Sequence, residues 1–545
     1  MNITKMCTFL SAHRSSWNKK GIYLSLAILF SLSCFKSLAQ GGSRASAVYN
    51  ILEYGARPDG QSVNTAAIQK AVNDCHEHGG GRIEIPTGIF VTGTIRLYSN
   101  MELHLEAGAV LSGSLNDSDY LYQKDFGFSG PGAGGRTGIL VAHDEQNISL
   151  TGPGRINGRG KNSMWMDSLQ KGADFDRKFT RQRDLYMDSR FGRKDGPVLW
   201  KGNYESRPGV MIIFSNCKRI YMDQVKFQES PNWTVAFLLS EDIHINGVTI
   251  ENNMSIPNSD GIDFYDSKFI TVSNCFIQAG DDAIAVVSSS SLVVSNCVLH
   301  SRSCGIRVGY NVFNDHNSGD LLFNNITIYD SNRGIGIFQR REGDMKNMTF
   351  SNINIQTRLH SGQWWGHGEP IHISSLPGLG SKKAGSISQV RFSNITAFSE
   401  SGIVMIAASK GLIRDISFDH VDLTITVSPL NNGYGGNFDL RPVNDISKGI
   451  FSHNIPALYA DLVSQLHIHD MSVRWNQGLP AYFRHAIECR NCDGLNIYGL
   501  QEFLPFDETD HRGETIYLHK GGTADLQKIR SSNPDKKLTK KDNMD

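Results

Sequence analysis

One recurring string constrains this chain more than anything else in it. It runs apolar-x-apolar, then Ser, Asp or Asn, then Asn, Gln or Gly, then apolar-x-apolar again. Copies begin at Ile220, Ile243, Ile270, Leu292, Leu321, Met348, Val390, Ile416 and Leu466. Most intervals fall in the twenties, which marks a repeat architecture. The leucine consensus and helical return segment of leucine-rich repeats are absent. Alternating apolar positions around an Asn/Ser turn fit an all-β solenoid instead, a single-stranded parallel β-helix. Each coil would lie ~4.8 Å from the next, with like residues stacked in ladders. Two longer intervals, Met348 to Val390 and Ile416 to Leu466, mark coils that are expanded or skipped.

The rest of the chain fits one long body. Its 545 residues include 54 Gly against 16 Pro, which suits many short strands and tight turns. Ahead of the repeats, Asn64 precedes Ile68, Ala71, Val72 and Cys75 at helical spacing, and Gly79-Gly80-Gly81 follows. This predicts a short N-terminal helix that caps the open end of the solenoid core. Residues 159–204 are polar and charged, and 429–456 are rich in Asn and Gly; both read as excursions overhanging the rod. The expected division is a signal peptide over 1–39, a β-helix domain over 48–504, and a C-terminal extension over 505–545 that ends in a solvated charged tail.

Lys19 and Lys20 precede an apolar run from Ile22 to Leu32, and Ser37-Leu38-Ala39 supplies small residues for cleavage. The run is short for a membrane span, so an exported protein, periplasmic or secreted, is expected. Formal charge is zero, and residues 1–39 carry five Lys/Arg and no acid, so the remainder stands at −5. Such a balance gives no support to nucleic-acid binding. Cys275 and Cys297 occupy equivalent repeat positions and read as buried ladder thiols. Cys489 and Cys492 form a lone C-x-x-C, expected as a local disulfide or two buried thiols rather than a metal site.

The chemistry concentrates in residues 257–283. Asp260 lies 21 and 22 residues before Asp281 and Asp282, about one coil. All three acids would therefore return to one side of the rod. Inverting glycoside hydrolysis needs an acid and a base separated by ~6.5–9.5 Å, and one coil's rise plus a lateral offset meets this. Neighbours in a regular strand face opposite ways, so Asp281 and Asp282 need a bend, which Gly280 permits. The least solvated acid should keep its proton and act as the general acid.

Asn258-Ser259-Asp260-Gly261 and Gly280-Asp281-Asp282 resemble the NTD and DD motifs of glycoside hydrolase family 28, the polygalacturonase family. Tyr54-Gly55-Ala56-Arg57-Pro58-Asp59-Gly60, Gly152 to Gly160, and Ser230-Pro231-Asn232-Trp233 extend the likeness across roughly residues 48–350. The resemblance implies a right-handed β-helix and metal-free, cofactor-free inverting hydrolysis of pectic polysaccharide. Asp281 would be the general acid, with Asp260 and Asp282 activating water and Asn258 in the substrate site. Two motifs depart from the family. Cys304 stands where the third motif has His, and Arg333-Gly334-Ile335 keeps the arginine of the fourth but lacks its lysine. Arg307 and Arg340-Arg341 are candidates to restore positive charge for an anionic sugar.

Trp364-Trp365-Gly366-His367-Gly368-Glu369 is a further candidate, the paired Trp as a platform for a sugar ring and His367 with Glu369 on its hydroxyls. The expected activity is hydrolysis of a pectic or related uronic-acid-containing glycan by a monomer. A lyase on the same scaffold is one alternative, and a non-catalytic carbohydrate-binding β-helix is the other.

Overall fold

In the computed structural model, the repeat starts read from sequence stack directly on one another. Ile220 pairs with Ile243, and then Ile270, Leu292, Leu321, Met348, Val390, Ile416 and Leu466 follow in register, every pairing parallel. The structure describes residues 47–126, 135–160, 208–254, 256, 258–310, 317–360, 366–378, 380–431, 435–445, 448–505 and 512–542. The expected signal segment over 1–39, most of the expected excursion over 159–204, and Trp364 and Trp365 lie outside these. None of the described helices is long and apolar enough to cross a membrane.

Two long parallel sheets form the rod. One of them has fourteen strands among the described residues, running from Ile95–Arg96 to Thr539–Asp542, and is called the floor sheet below. The Asn/Gln/Gly position of the repeat is where each coil turns a corner of the other sheet. Asn274, Asn296, Asn325, Asn352 and Asn394 all adopt left-handed φ there, between 53° and 58°. Asn tolerates that region because its short amide bonds locally. These amides also bond from coil to coil, as in Asn325 Nδ2 to Asn296 Oδ1 at 2.6 Å and Asn394 Nδ2 to Asn352 Oδ1 at 3.0 Å.

Inside the rod, like residues stack. Phe214, Phe237 and Phe264 lie with ring centroids 5.3 Å apart, and Phe323, Phe350, Phe392 and Phe418 form a second column at 4.8–5.0 Å. At the N-terminal end, helix Thr65–Glu77 buries Ile68, Ala71, Val72 and Cys75 against the first coils, as expected. Asn64 stands at its N-cap but spends its side-chain oxygen on the Arg57 N–H rather than on the helix.

Three expectations are resolved or revised. The intervals of 42 and 50 residues are expanded coils, not skipped ones, since Met348–Val390 and Ile416–Leu466 are adjacent in register. The solenoid also does not fade after Leu504, because Ile516–His519 pairs with Ile487–Arg490 and Thr539–Asp542 pairs with Ile516–His519. Only Ile516 and Leu518 carry the apolar alternation there, too short a run to stand out in a polar stretch. Within the expected solvated tail, Lys536 is buried against Glu502 at 3.0 Å. Finally, Cys489 and Cys492 are buried free thiols, as are Cys275 and Cys297.

The phenylalanine column supplies a test. Phe350→Ala removes a fully buried ring between two stacked partners, and should cost about 3–5 kcal/mol. Denaturant unfolding of the two proteins measures this; a loss below about 1 kcal/mol would mean that the column does not support the core.

Candidate active site

Asp260, Asp281 and Asp282 converge on the floor side of the rod. One oxygen from each lies within 4.8 Å of the others. Asp260 and Asp282 are buried, while Asp281 keeps partial access to solvent. The Asn258 N–H, from a residue at φ +54°, donates to Asp281 Oδ2 at 3.2 Å. The Cys304 N–H donates to Asp282 Oδ1 at 3.0 Å. Gly280 matters here through close approach rather than a special dihedral. A Cβ on it would sit 2.5 Å from both Ile256 O and Ser259 Oγ. That spacing is between the nearest oxygens, whereas the ~6.5–9.5 Å of an inverting acid–base pair separates whole carboxyl groups.

A fourth acid joins the three. Asp263 lies in strand Ile262–Tyr265, opposite Ala285, which is opposite Arg307 one coil further on. The methyl group of Ala285 leaves room for Arg307 to reach back across it. Its guanidinium bonds Asp282 through Nε and comes within 3.8 Å of Asp263 and 4.0 Å of Asp260; Nη1 donates to Gly309 O at 2.8 Å. One cation thus serves three carboxylates directly. Among the described residues, neither oxygen of Asp263 and not Oδ1 of Asp260 has a hydrogen-bond partner. Asp263 was not anticipated from sequence, although an acid inside an otherwise apolar strand, 44 residues and two coils before Arg307, was a readable signal.

The electrostatics follow from this crowding. Burial raises the Asp260 carboxyl well above the ordinary range, and the charges of Asp263, Asp281 and Asp282 add to it. Burial likewise raises Asp263, with Arg307 pulling it back. Asp281 is pushed up to about 7, first by desolvation and then by Asp282, with Arg307 again opposing. Burial alone would lower Arg307, but Asp282 and its neighbours outweigh that and raise it.

The other expected site residues divide. Arg333 stacks one coil beyond Cys304 and is fully buried, with its guanidinium on Glu369 at 3.1 and 3.3 Å and on Asp439 O at 3.1 Å. Arg340 is buried on Ser374 O and Oγ at 3.1 and 2.9 Å, and burial lowers it to about 9. Phe338 lies between these two guanidinium groups, 5.1 Å from each. Both guanidinium groups are buried on protein partners rather than exposed. Glu369 and His367 are buried as well. Arg333, His372 and the His367 N–H occupy both Glu369 oxygens, so the pair does not present hydroxyl-binding groups to solvent. Buried charges persist when paired, and Arg333 and Glu369 pair with each other. Cys304 is buried and its thiol is raised by desolvation, which removes it as a nucleophile. Trp364 and Trp365 lie outside the described residues. Beside the acids, Asn258 and the stacked pair Trp233–Tyr265, with centroids 5.3 Å apart, are partly exposed.

Fold and site together define a parallel β-helix protein that carries a carboxylate cluster on one outer face. The sequence model of Glycosyl hydrolases family 28 matches residues 195–431, a stretch that contains all four acids and Arg307. Over that stretch the chain resembles family 28 polygalacturonases. It is 31% identical to an exo-poly-alpha-D-galacturonosidase of Dickeya chrysanthemi over 261 residues, covering 44% of this chain and 41% of that protein. To a probable polygalacturonase of Vitis vinifera it is 27% identical, covering 43% of each. It thus spans less than half the length of these relatives. In fold it is similar to the family 28 exopolygalacturonase of Yersinia enterocolitica, with a TM-score of 0.56, 17% identity, and coverage of 90% of this chain and 79% of that one.

A pH test follows from the raised carboxyl. Because the folded value of Asp281 is about 7, above the ~3.9 of a free Asp, the native state holds a proton that the unfolded chain has lost between those limits. Stability therefore falls as pH rises through that window. Asp281→Asn removes this penalty, so the variant should melt higher than wild type at pH 8, with the difference shrinking toward pH 4. A Tm difference that is equal at both pH values would refute the buried-acid account.

Proposed function

We propose that this protein hydrolyses glycosidic bonds in a pectic, uronic-acid-containing polysaccharide or oligosaccharide. The observation that carries the reading is the acid cluster itself, with Asp281 titrating near neutrality beside Asp282 on Arg307. Asp281 keeps its proton toward neutrality, and Asp282 is the carboxylate that Arg307 pairs. An acid and a base in one pocket are what the reaction needs.

In the proposed reaction Asp281 gives its proton to the glycosidic oxygen as the bond from the anomeric carbon breaks. Asp282, with Asp260, holds a water molecule against that carbon and takes its proton as the new C–O bond forms. One shorter glycan leaves with the old oxygen, and the other carries the oxygen of water. Arg307 forms the ion pair with Asp282, beside Cys304, which stands where the family motif has His. The matched family and the galacturonan-directed activities named for the relatives support a pectic substrate. A polymer too large to enter a cell calls for an exported enzyme, in keeping with the leader-like pattern over residues 1–39.

Inversion at the anomeric carbon is the first reading. Retention, in which a carboxylate attacks the anomeric carbon directly, is the outcome that would overturn it. Proton NMR of the first-formed anomer separates them.

The reading is tested by incubating the protein with a panel of pectic glycans. New reducing ends without an ultraviolet-absorbing unsaturated ring are expected; an unsaturated product would mean a lyase. The rate should fall as pH rises through about 7, where Asp281 loses its proton. Asp281→Asn should lower kcat by about 10²–10⁴-fold while substrate still binds. Unchanged turnover in that variant, or no cleavage of any glycan by wild type, would end the proposal.

A further inference from the structure

Asp263 has no part in the reaction proposed above, yet it sits where an acid is destabilising. On the outward ladder of the floor sheet it lies between Ala236, one coil before, and Ala285, one coil after, and all three are fully buried. A third methyl group would continue that ladder at no cost. Instead there is a carboxyl group with neither oxygen hydrogen-bonded among the described residues. A buried polar group left so is unfavourable, and its presence calls for an explanation in function.

Other buried charges of the floor do have hydrogen-bond partners. Arg333 takes Glu369, and Arg333 and Arg340 hold Asp439 O and Leu440 O. Those carbonyls belong to a small antiparallel hairpin, Asn437–Asp439 against Ile450–Ser452, which lies over the floor strand Leu458–Asp461. Phe438 packs 5.1 Å from the Tyr459 ring and His453 4.8 Å from it.

What Asp263 has is Arg307, two coils or about 9.6 Å further along the rod. Ala285 and Gly336 flank Arg307 on its ladder, so small residues leave room on both sides, and the side chain lies toward the acids. Its nitrogens are divided. Nε bonds Asp282, Nη1 donates to Gly309 O at 2.8 Å, and Nη2 stands 3.8 Å from Asp263 Oδ1 and 4.0 Å from Asp260 Oδ2. Gly309 O is a fixed point, since Gly309 adopts φ +87° and approaches Phe338 O so closely that a Cβ would come within 2.3 Å of it. Two acids therefore compete for one end of the guanidinium. Asp260 is the one that the proposed reaction needs, with Asp282, to hold water. A carboxylate drawn into an ion pair has fewer lone pairs left for that.

We propose that Asp263 is a positioning residue, which draws the Nη2 end of Arg307 away from Asp260 so that Asp260 stays available to the water molecule. The inference rests on the hydrolase reading. Asp263 touches neither sugar nor water in this scheme and acts only through Arg307. The titratable groups around it are Asp260 and Tyr265 on its own coil, Asp281 and Asp282 on the next, and Arg307 beyond them. Burial raises the Asp263 carboxyl and Arg307 opposes this, in keeping with a cation as its one favourable neighbour.

Asp263→Ala, the residue its ladder neighbours carry, tests this on polygalacturonate oligomers. With the carboxyl group gone, Nη2 closes on Asp260. The kcat should fall about 10–100-fold with KM little changed, the size of loss that a ~1 Å misplacement causes. The acid limb of the kcat–pH profile should move down by about one unit, because the guanidinium then favours the charged form of Asp260 as well as that of Asp282. Asp263→Asn keeps an oxygen that accepts from Nη2, and should restore most of the lost kcat. A folded Ala variant with wild-type kcat and an unmoved limb would overturn the inference and leave the hydrolase reading standing. Asp263→Leu, which fills the site without an acceptor, should behave as the Ala variant does. If neither folds, Asp263 is a structural residue and the inference falls. Wild-type protein that cleaves no glycan would sink both readings.

Discussion

Coil-to-coil register is the constraint on which the rest of this structure depends. A parallel ladder rises ~4.8 Å per coil whatever lies between its strands, so residues tens of positions apart in sequence become neighbours. Ile220, Ile243 and Ile270 stack for that reason, and Asp260 reaches Asp281 and Asp282 for the same one. Slippage by one residue would turn every apolar side chain outward and every acid inward. The phenylalanine columns and the left-handed Asn corners hold the register against this.

On that frame sits an unusual charge arrangement. Four carboxylates, all but Asp281 fully buried, gather around a single guanidinium. One cation cannot neutralise four anions in a medium of low polarisability, so the excess is resolved by protons instead. Asp260, Asp263 and Asp281 are all raised, and Asp282 takes the ion pair. A site in which acids with raised proton affinity stand beside an ion-paired carboxylate is poised for proton transfer. The arginines further along, Arg333 and Arg340, play a different part. Locked on Glu369 and Ser374, they anchor a hairpin over the floor.

Much of the fold was legible because repetition is a local property written many times over. The repeat starts predicted the observed pairing residue for residue, and the Asn position of the repeat proved to be the left-handed corner. The helix at Thr65–Glu77 followed from its spacing. The acids were legible because 21 residues is about one coil. Elsewhere the pattern was too short or too irregular. The last coils, with only Ile516 and Leu518 to mark them, read as a tail. Asp263 was passed over because it lies outside the motif that drew attention to Asp260. Glu369 and His367 looked like sugar ligands because their polarity was visible and their burial was not.

By itself, then, the sequence determined the rod, the stacking period and the meeting of Asp260 with Asp281 and Asp282, since each depends only on spacing along a regular ladder. Tertiary structure alone decided that Arg307 reaches Asp263 across a methyl group, that Arg333 and Glu369 are sealed inward, and that residues 437–445 and 448–453 lie across the floor. Those outcomes depend on where irregular segments land on the rod, and an irregular segment carries no period from which its landing place can be counted.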